Sequence, residues 1–346
     1  MSSTITLASA PLVNGRAIVT VGLSVTLLFL ALLSLTFGPV DLPLGDVITG
    51  LLGAGDAEEA LRQQLIIRDV RLPRTVLAIL TGGSLGLAGA ALQGLLRNPL
   101  AEPGLLGISS SASLGAVLSL YFGLAALSPW LLPALAMGFA ALATVVLYVI
   151  GRRCDSLTLI LAGIALSSLA SALTSLALNL APNPADVQDI VLWLLGSLSQ
   201  RSFDDVQLCL PFVVIGAFLL LGCGRALDAL SLGEEEAQSL GINVVRLRQQ
   251  VIVGTALCVG ACVAITGAVG FVGLVVPHLL RPFVAQQPSR LLLASALGGA
   301  VLLLAADLLL RAVSGPREIM LGVVTALIGA PFFFILVLRR RHGVSS

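Results

Sequence analysis

Apolar residues fill long stretches of this chain, and short polar or proline-containing segments separate them. Runs of this length predict membrane-spanning helices, because about 20 apolar residues are needed to cross the hydrocarbon core. Ten spans result: residues 17–37, 75–95, 105–123, 131–150, 157–179, 206–224, 249–268, 270–281, 291–311 and 321–338. The eighth is too short to cross alone when straight, which indicates a half-helix that the rest of the fold buries.

The composition supports an integral membrane protein. Hydrophobic residues make up 57% of the chain and charged residues 11%, whereas about 25% of an average soluble domain is charged. The mean hydropathy is +1.05, and the apolar runs are too long for the ten-residue alternation of an outer-membrane barrel. The predicted fold class is an all-α polytopic membrane protein, with one transmembrane domain over residues 1–346.

The charges predict an orientation. All 19 basic residues are arginines, and with the N-terminus inside twelve of them fall on the inner side and seven on the outer side. This positive-inside bias places both termini in the cytoplasm. Residues 38–74 then form an outer, periplasmic loop, and residues 226–248 form an inner, cytoplasmic segment. Because no lysine occurs, the chain cannot hold ATP through a Walker A loop.

Polar punctuation within the apolar pattern gives further expectations. In the inner segment, the acidic run Glu234–Glu236 followed by Gly241 predicts a short helix on the cytoplasmic face; the alternative is a solvated connector. Proline and glycine in "NPLAEPG" cannot continue a helix, so residues 98–104 are predicted to be an irregular re-entrant connector. Asp307 lies four residues before Arg311, which favours a local ion pair over a proton relay.

The cysteines show no metal-binding pattern. None of the five forms a CxxC pair, and all but the first lie in apolar runs, which predicts small core residues rather than metal or redox groups. They are Cys154, Cys209, Cys223, Cys258 and Cys262.

Several segments together resemble a known family. "RLPR" at residues 71–74, "GGSLGLAGAALQGLLRNPLAEPGLLGISS", "GFVGLVVPHLLR" at residues 270–281, "AADLLLR" and "GVVTALIGAPFF" are similar to permease subunits of the FecCD-type ATP-binding-cassette importers for iron siderophores, haem and cobalamin. The resemblance covers nearly the whole chain. It implies a transport subunit of the bacterial inner membrane that is not an enzyme. It also implies a second copy, two separate ATPase subunits that hold ATP and magnesium, and a periplasmic binding protein.

The resemblance assigns roles to particular residues. It implies that Arg71, Arg74 and Arg311 receive glutamates of the binding protein; the alternative is that they reach lipid phosphates. It also implies that residues 227–245 are coupling helices that fit a cleft on the ATPase, with Gly241 as the sharp turn between their two pieces. The coupling residues are Ser231, Leu232, Gly233, Glu234, Glu235, Glu236, Gly241 and Asn243.

The pathway and the cargo are less directly indicated. Four serines are candidates for the water-lined wall of the translocation pathway, with close helix packing as the alternative for each. They are Ser109, Ser110, Ser111 and Ser113. His278 invites a reading as a haem ligand, but a structural or coupling role is favoured. No residue reads the cargo directly; "NPLAEPGLLG" resembles haem and cobalamin permeases more than siderophore permeases, which favours haem, then cobalamin. The rival functions are an ion-coupled secondary carrier and a structural membrane scaffold.

Overall fold

The computed structural model describes residues 13–38, 42–52, 57–152, 155–313 and 319–342, and helices account for most of them. The α-helices are α1 Val13–Thr36, α2 Leu44–Leu52, α3 Ala57–Leu65, α4 Leu72–Leu95, α5 Ile108–Tyr121, α6 Leu124–Leu127, α7 Leu131–Gly151, α8 Ser156–Asn179, α9 Pro184–Leu194, α10 Phe203–Gly222, α11 Gly224–Leu230, α12 Glu234–Ser239, α13 Val244–Thr255, α14 Ala261–Thr266, α15 Val272–Leu280, α16 Pro288–Val313 and α17 Leu321–His342.

The helices match the predicted spans. In the described part, seven helices are long and apolar enough to cross a membrane: Ala17–Thr36, Leu61–Leu95, Leu131–Gly151, Ser156–Asn179, Phe203–Gly222, Val244–Thr266 and Pro288–Val313. Three shorter apolar helices, Ile108–Tyr121, Val272–Val284 and Leu321–Phe334, occupy the remaining predicted positions. The all-α polytopic class is therefore confirmed, and the predicted half-helix over 270–281 is the nine-residue α15 with its 3₁₀ extension.

Helix α4 is the centre of the bundle because its glycines let neighbouring backbones approach closely. A Cβ added to Gly82 would lie 2.3 Å from the carbonyl oxygen of Gly299 on α16, and one added to Gly86 would lie 2.0 Å from that of Ser295. On the other side, a Cβ on Gly89 would lie 1.9 Å from the carbonyl oxygen of Gly273 on α15. Small residues at helix contacts replace the hydrophobic driving force that is missing inside a bilayer.

The predicted outer loop contains more helix than the hydropathy pattern indicated. Within residues 38–74 the chain forms α2, α3 and a π-helical turn over Ile66–Arg71, which leads directly into α4. Pro73 is the second residue of α4 and follows this π-helical turn. Its missing N–H breaks the normal hydrogen-bond ladder, which is consistent with the wider turn just before it.

Four cysteines are core residues, as expected. Cys209, Cys223, Cys258 and Cys262 are buried among the helices. Cys154 and the two chain ends, residues 1–12 and 343–346, lie outside the described residues, so the predictions made for them stay predictions.

Candidate docking, coupling and pathway sites

Three arginines and one aspartate form a cluster at the end of the bundle where α1 ends and α4 begins. Asp307 on α16 is 1% exposed and accepts hydrogen bonds from two of the arginines. The Nε of Arg74 lies 3.0 Å from Asp307 Oδ1, and its Nη2 lies 2.8 Å from the same oxygen. Arg311 donates to Oδ2, which confirms the predicted local pair. We call Arg71, Arg74, Arg311 and Asp307 the arginine cluster.

The arginine cluster also holds the end of α1. Arg71 Nη1 donates to the carbonyl oxygens of Leu35 at 2.6 Å and Thr36 at 2.7 Å. Arg311 Nη1 donates to the carbonyl oxygen of Ser34 at 3.0 Å. The last carbonyls of a helix lack intrahelical partners, and cations stabilise this negative end. The two arginines therefore tie α1 to α4 and α16.

The three arginines differ in how far they are exposed to a docking partner. Arg71 is 4% exposed, and the side chain of Arg311 is 7% exposed, whereas that of Arg74 is 21% exposed. Docking at these residues stays a prediction, and Arg74 is the member best placed to meet a partner. The sequence pattern missed that Arg74 also binds Asp307 and donates to the Ser199 hydroxyl at 3.2 Å, since these residues lie far apart in the chain.

The predicted coupling segment, residues 226–248, consists of two short helices followed by the start of α13. Gly233, with φ 142°, lies between α11 and α12. Gly241 has φ +82°, ends α12 and turns the chain into α13. The helix over Glu234–Ser239 and its glycine stop agree with the sequence pattern.

Buried contacts fix the base of the coupling segment. Asp228 accepts a hydrogen bond from the backbone N–H of Ser289 at 2.8 Å and another from the Gln287 side chain at 3.2 Å. Arg248 is 4% exposed; its Nη2 lies 3.5 Å from Glu234 Oε1, and its Nη1 donates to the carbonyl oxygen of Gly151. These contacts connect the segment to α16 and to the end of α7, so a displacement of the segment would be transmitted to both helices.

The tip of the coupling segment presents an uncovered surface of mixed character. Leu232 and Leu240 are 67% and 63% exposed, and Glu235 and Glu236 are exposed beside them. The Asn243 side chain is used internally, because its Oδ1 accepts the backbone N–H of Arg246 as an N-cap. Exposed leucines flanked by carboxylates suit a partner cleft, but the part that each residue plays in coupling stays a prediction.

The re-entrant connector has partners for its freed backbone groups. After α4 the chain turns at residues 96–102, forms a 3₁₀ turn over Pro103–Leu106 and restarts as α5. The Ser167 hydroxyl on α8 donates to the carbonyl oxygen of Gly104 at 3.3 Å. The Glu102 carboxyl accepts a hydrogen bond from the backbone N–H of Phe271. The connector is thereby linked to the second break in the bundle, between α14 and α15.

The candidate pathway serines lie on the first turns of α5. Ser111 and Ser113 are buried within the chain, and Ser109 and Ser110 are partly buried. Gly115 on the same helix packs against α7, where an added Cβ would lie 2.4 Å from the carbonyl oxygen of Leu135. This burial favours the packing alternative for Ser111 and Ser113, and a pathway role for the four serines stays a prediction.

His278 sits within the helix bundle beside an aromatic ring. It is partly buried on α15, and its ring centroid lies 6.0 Å from that of Phe332 at an interplanar angle of 69°. This edge contact joins α15 to α17. The geometry is in keeping with the structural role that the sequence favoured.

In the described part of the chain, ten apolar helices, breaks between successive helices and an anchored helix pair at one end fit a polytopic membrane permease. The family model described as the FecCD transport family matches residues 26–339, and the chain belongs to this family. The resemblance read from the sequence motifs is therefore confirmed.

Relatives and a solved structure agree with the family. The vitamin B12 import system permease protein BtuC of Vibrio cholerae is 42% identical, over 83% of this chain and 86% of its own length. The hemin transport system permease protein HmuU of Yersinia pestis is 38% identical, over 80% and 84%. A solved inward-facing metal-chelate type ABC transporter is 33% identical with a TM-score of 0.82, and the match covers 92% of this chain and 98% of that one. This chain is a transport subunit of an ATP-binding-cassette importer.

Proposed function

We propose that two copies of this chain form the permease of a haem importer in the bacterial inner membrane, with both termini in the cytoplasm. A periplasmic binding protein delivers the cargo at the arginine cluster. Two ATPase subunits bind at the coupling segments, so ATP and magnesium are held by those subunits and no cofactor is held by this chain. The absence of a lysine for a Walker A loop supports this division of labour.

The observation that carries the proposal is the coupling segment, which has a fixed base and an open tip. Asp228 and Arg248 bind it to α16 and α7, whereas Leu232 and Leu240 project into solvent. Closure of an ATPase dimer against the tip would therefore act on two long helices at once. An ion-coupled carrier needs no such segment and usually places ionisable groups inside its spans.

Haem is proposed as the cargo on two grounds. "NPLAEPGLLG" at residues 98–107 is similar to haem and cobalamin permeases, and the relative from Yersinia pestis is named for hemin. Cobalamin is the second candidate, because the relative named for vitamin B12 reaches 42% identity.

Reconstituted uptake tests both the mechanism and the cargo. The permease and its ATPase are placed in liposomes with internal ATP, and uptake is measured from binding protein loaded with haem, with cobalamin or with a ferric siderophore. We expect haem accumulation that requires ATP and the binding protein and that vanadate abolishes. Uptake of cobalamin alone would overturn the proposal that haem is the cargo. Uptake that needs no ATP and that a protonophore stops would overturn the ATP-driven mechanism.

A further inference from the structure

A polar cavity opens on the surface of the bundle at the end that carries the coupling segment. It has a volume of about 770 Å³ and lies between α7, α10 and α13. Arg152, which follows the last residue of α7, and Arg246, in the first turn of α13, line it together with Gln249. Within the described residues neither guanidinium makes an ion pair or a side-chain hydrogen bond. Two positive charges therefore share one concave surface without an acidic partner there.

The wall of this cavity is fixed by internal contacts. Gln250 donates from Nε2 to the carbonyl oxygen of Leu219 on α10 at 2.9 Å, which links α13 to α10. Arg248 joins α13 to the carbonyl end of α7 through Gly151. The three helices are thus held at a set separation at this depth, and the cavity is part of the folded bundle.

An apolar groove continues from the polar cavity toward the middle of the helical bundle. It has a volume of about 240 Å³, runs between the same three helices, and shares Val253 with the polar cavity. Small residues, including Ala141, Ala256 and Gly260, line it together with Phe212. Thr144 also lines it, but its hydroxyl donates to the carbonyl oxygen of Ala140 at 2.6 Å and needs no other partner.

The polar cavity and the apolar groove together have a length that suits one leaflet of a bilayer. From Arg246 to Ala261 the chain rises about 22 Å, taking 1.5 Å for each of the intervening residues. Half of the hydrocarbon core is about 15 Å, so the arginines lie at headgroup depth when the upper end of the groove reaches the mid-plane. Tyr148, also in the polar cavity and 37% exposed, is a side-chain type enriched at this boundary.

We propose that this combined cavity binds one anionic phospholipid, with its phosphate between Arg152 and Arg246 and one acyl chain along the apolar groove. Guanidinium groups match phosphate oxygens in geometry and charge, and basic pockets between spanning helices are typical sites for anionic headgroups. The lipid would bridge α7, α10 and α13 next to the coupling segment. This inference depends on membrane insertion alone and not on the cargo or the ATPase.

Lipid titration by native mass spectrometry tests the headgroup. The full-length chain, purified in detergent and stripped of lipid, is titrated with dioleoyl phosphatidylglycerol and separately with dioleoyl phosphatidylcholine. We expect a first phosphatidylglycerol to bind at least about tenfold more tightly than phosphatidylcholine. The double variant Arg152→Gln/Arg246→Gln should lose this preference. The double variant Arg225→Gln/Arg290→Gln removes the same charge near the same end of the bundle and should retain it.

A second pair of variants tests the acyl groove. Ala141→Trp fills the groove while both arginines stay in place, and Leu142→Trp puts the same side chain on an exposed neighbouring position that does not line it. We expect Ala141→Trp to weaken binding of phosphatidylglycerol about tenfold and Leu142→Trp to leave it unchanged. Both positions face outward, so both variants should fold.

The competing explanations give distinct results. If inorganic phosphate displaces phosphatidylglycerol and Ala141→Trp has no effect, the arginines bind a free anion and the lipid proposal is overturned. Equal losses in both double-arginine variants would show a general charge effect and would also overturn it. If Arg152→Gln/Arg246→Gln weakens ATPase binding but leaves lipid binding intact, the arginines belong to the ATPase interface instead.

Discussion

The two ends of the helical bundle treat their charged side chains differently. At one end, Asp307 is buried and accepts hydrogen bonds from Arg74 and Arg311, so this carboxylate is paired inside the protein. At the other end, charged residues at the base of the coupling segment have hydrogen-bond partners, whereas Glu235 and Glu236 at its tip are exposed beside exposed leucines. The first arrangement fixes the fold of one chain. The second leaves a surface for a partner.

This comparison indicates that a carboxylate contributes differently to stability at the two ends of the bundle. A buried carboxylate between two guanidiniums is costly to disturb, because removing it leaves two charges with no counterion. An exposed carboxylate at a helix tip is screened by water and contributes little to stability. Substitutions at the two ends should therefore separate stability from coupling.

The largest expected effect is at Asp307. Asp307→Asn leaves Arg74 and Arg311 without their shared carboxylate, and we expect a loss of about 3–5 kcal/mol in the free energy of unfolding. Thermal unfolding of the purified chain in detergent measures it. Asp204→Asn, which removes an exposed carboxylate from the first turn of α10, is the control and should cost less than about 1 kcal/mol. Equal shifts in the two variants would contradict the comparison.

The next effect is at the base of the coupling segment. Arg248→Gln removes the charged donor to the Gly151 carbonyl and the partner of Glu234, and we expect a loss of about 1.5–3 kcal/mol. Glu234→Gln removes only one partly exposed end of a 3.5 Å pair and should cost less than about 1 kcal/mol. The same unfolding measurement compares the two. A larger loss for Glu234→Gln than for Arg248→Gln would show that the base is not fixed by Arg248.

A substitution at Gly241 should affect coupling more than stability. Gly241→Val places a β-branched residue at φ +82°, which costs about 1–2 kcal/mol locally, although an added Cβ meets nothing within 4 Å. We expect ATP-driven uptake to fall about tenfold while ATP hydrolysis by the assembled complex continues. Uptake into proteoliposomes and phosphate release are measured on the same samples, which gives the ratio of cargo imported to ATP hydrolysed.

Two variants check the cause of the Gly241 effect. Gly241→Asn should retain most uptake, because asparagine tolerates the left-handed conformation. Gly138→Val makes the same change at an exposed, helical glycine with equally open space and should leave uptake unchanged. Full uptake by Gly241→Val would show that this turn is not needed for coupling.

The smallest expected effect is on docking at the arginine cluster. Arg74→Gln removes the most exposed of the three arginines, and we expect a few-fold weaker affinity for the binding protein at low salt and little difference at high salt. Affinity is measured across a salt series, beside unfolding of the same samples. Arg62→Gln, an exposed arginine on α3, is the control. An affinity that is independent of salt in every variant would show that Arg74 takes no part in docking.

Much of this architecture followed from local patterns. Span lengths gave the ten apolar helices, because each must cross a layer of nearly constant thickness. "NPLAEPG" predicted the break after α4, and the acidic run before Gly241 predicted α12, since proline, glycine and helix-end preferences act within a few residues. These predictions needed no knowledge of which helices touch.

Other features could not be read in this way. The Arg74 to Asp307 hydrogen bonds join residues 233 positions apart, and the Ser167 hydroxyl reaches a carbonyl 63 positions away. The π-helical turns over Ile66–Arg71 and Ala256–Gly260 also escaped prediction, because an apolar run has the same composition in an α-turn and a π-turn. The further turn at Gly233, between α11 and α12, was also not predicted, since two glycines flank α12 and only the fold shows that a helix lies on the other side of each.

The sequence by itself predicted ten membrane spans with a polar segment between the sixth and the seventh, because hydrophobic length and backbone chemistry are local properties, and its motifs indicated the permease family by resemblance. The tertiary structure decided which charges are neutralised inside the chain and which remain open to a partner or a lipid. Burial and counterions depend on which helices pack together, and that packing is set by contacts between residues distant in sequence, such as Gly82 with Gly299 and Arg74 with Asp307.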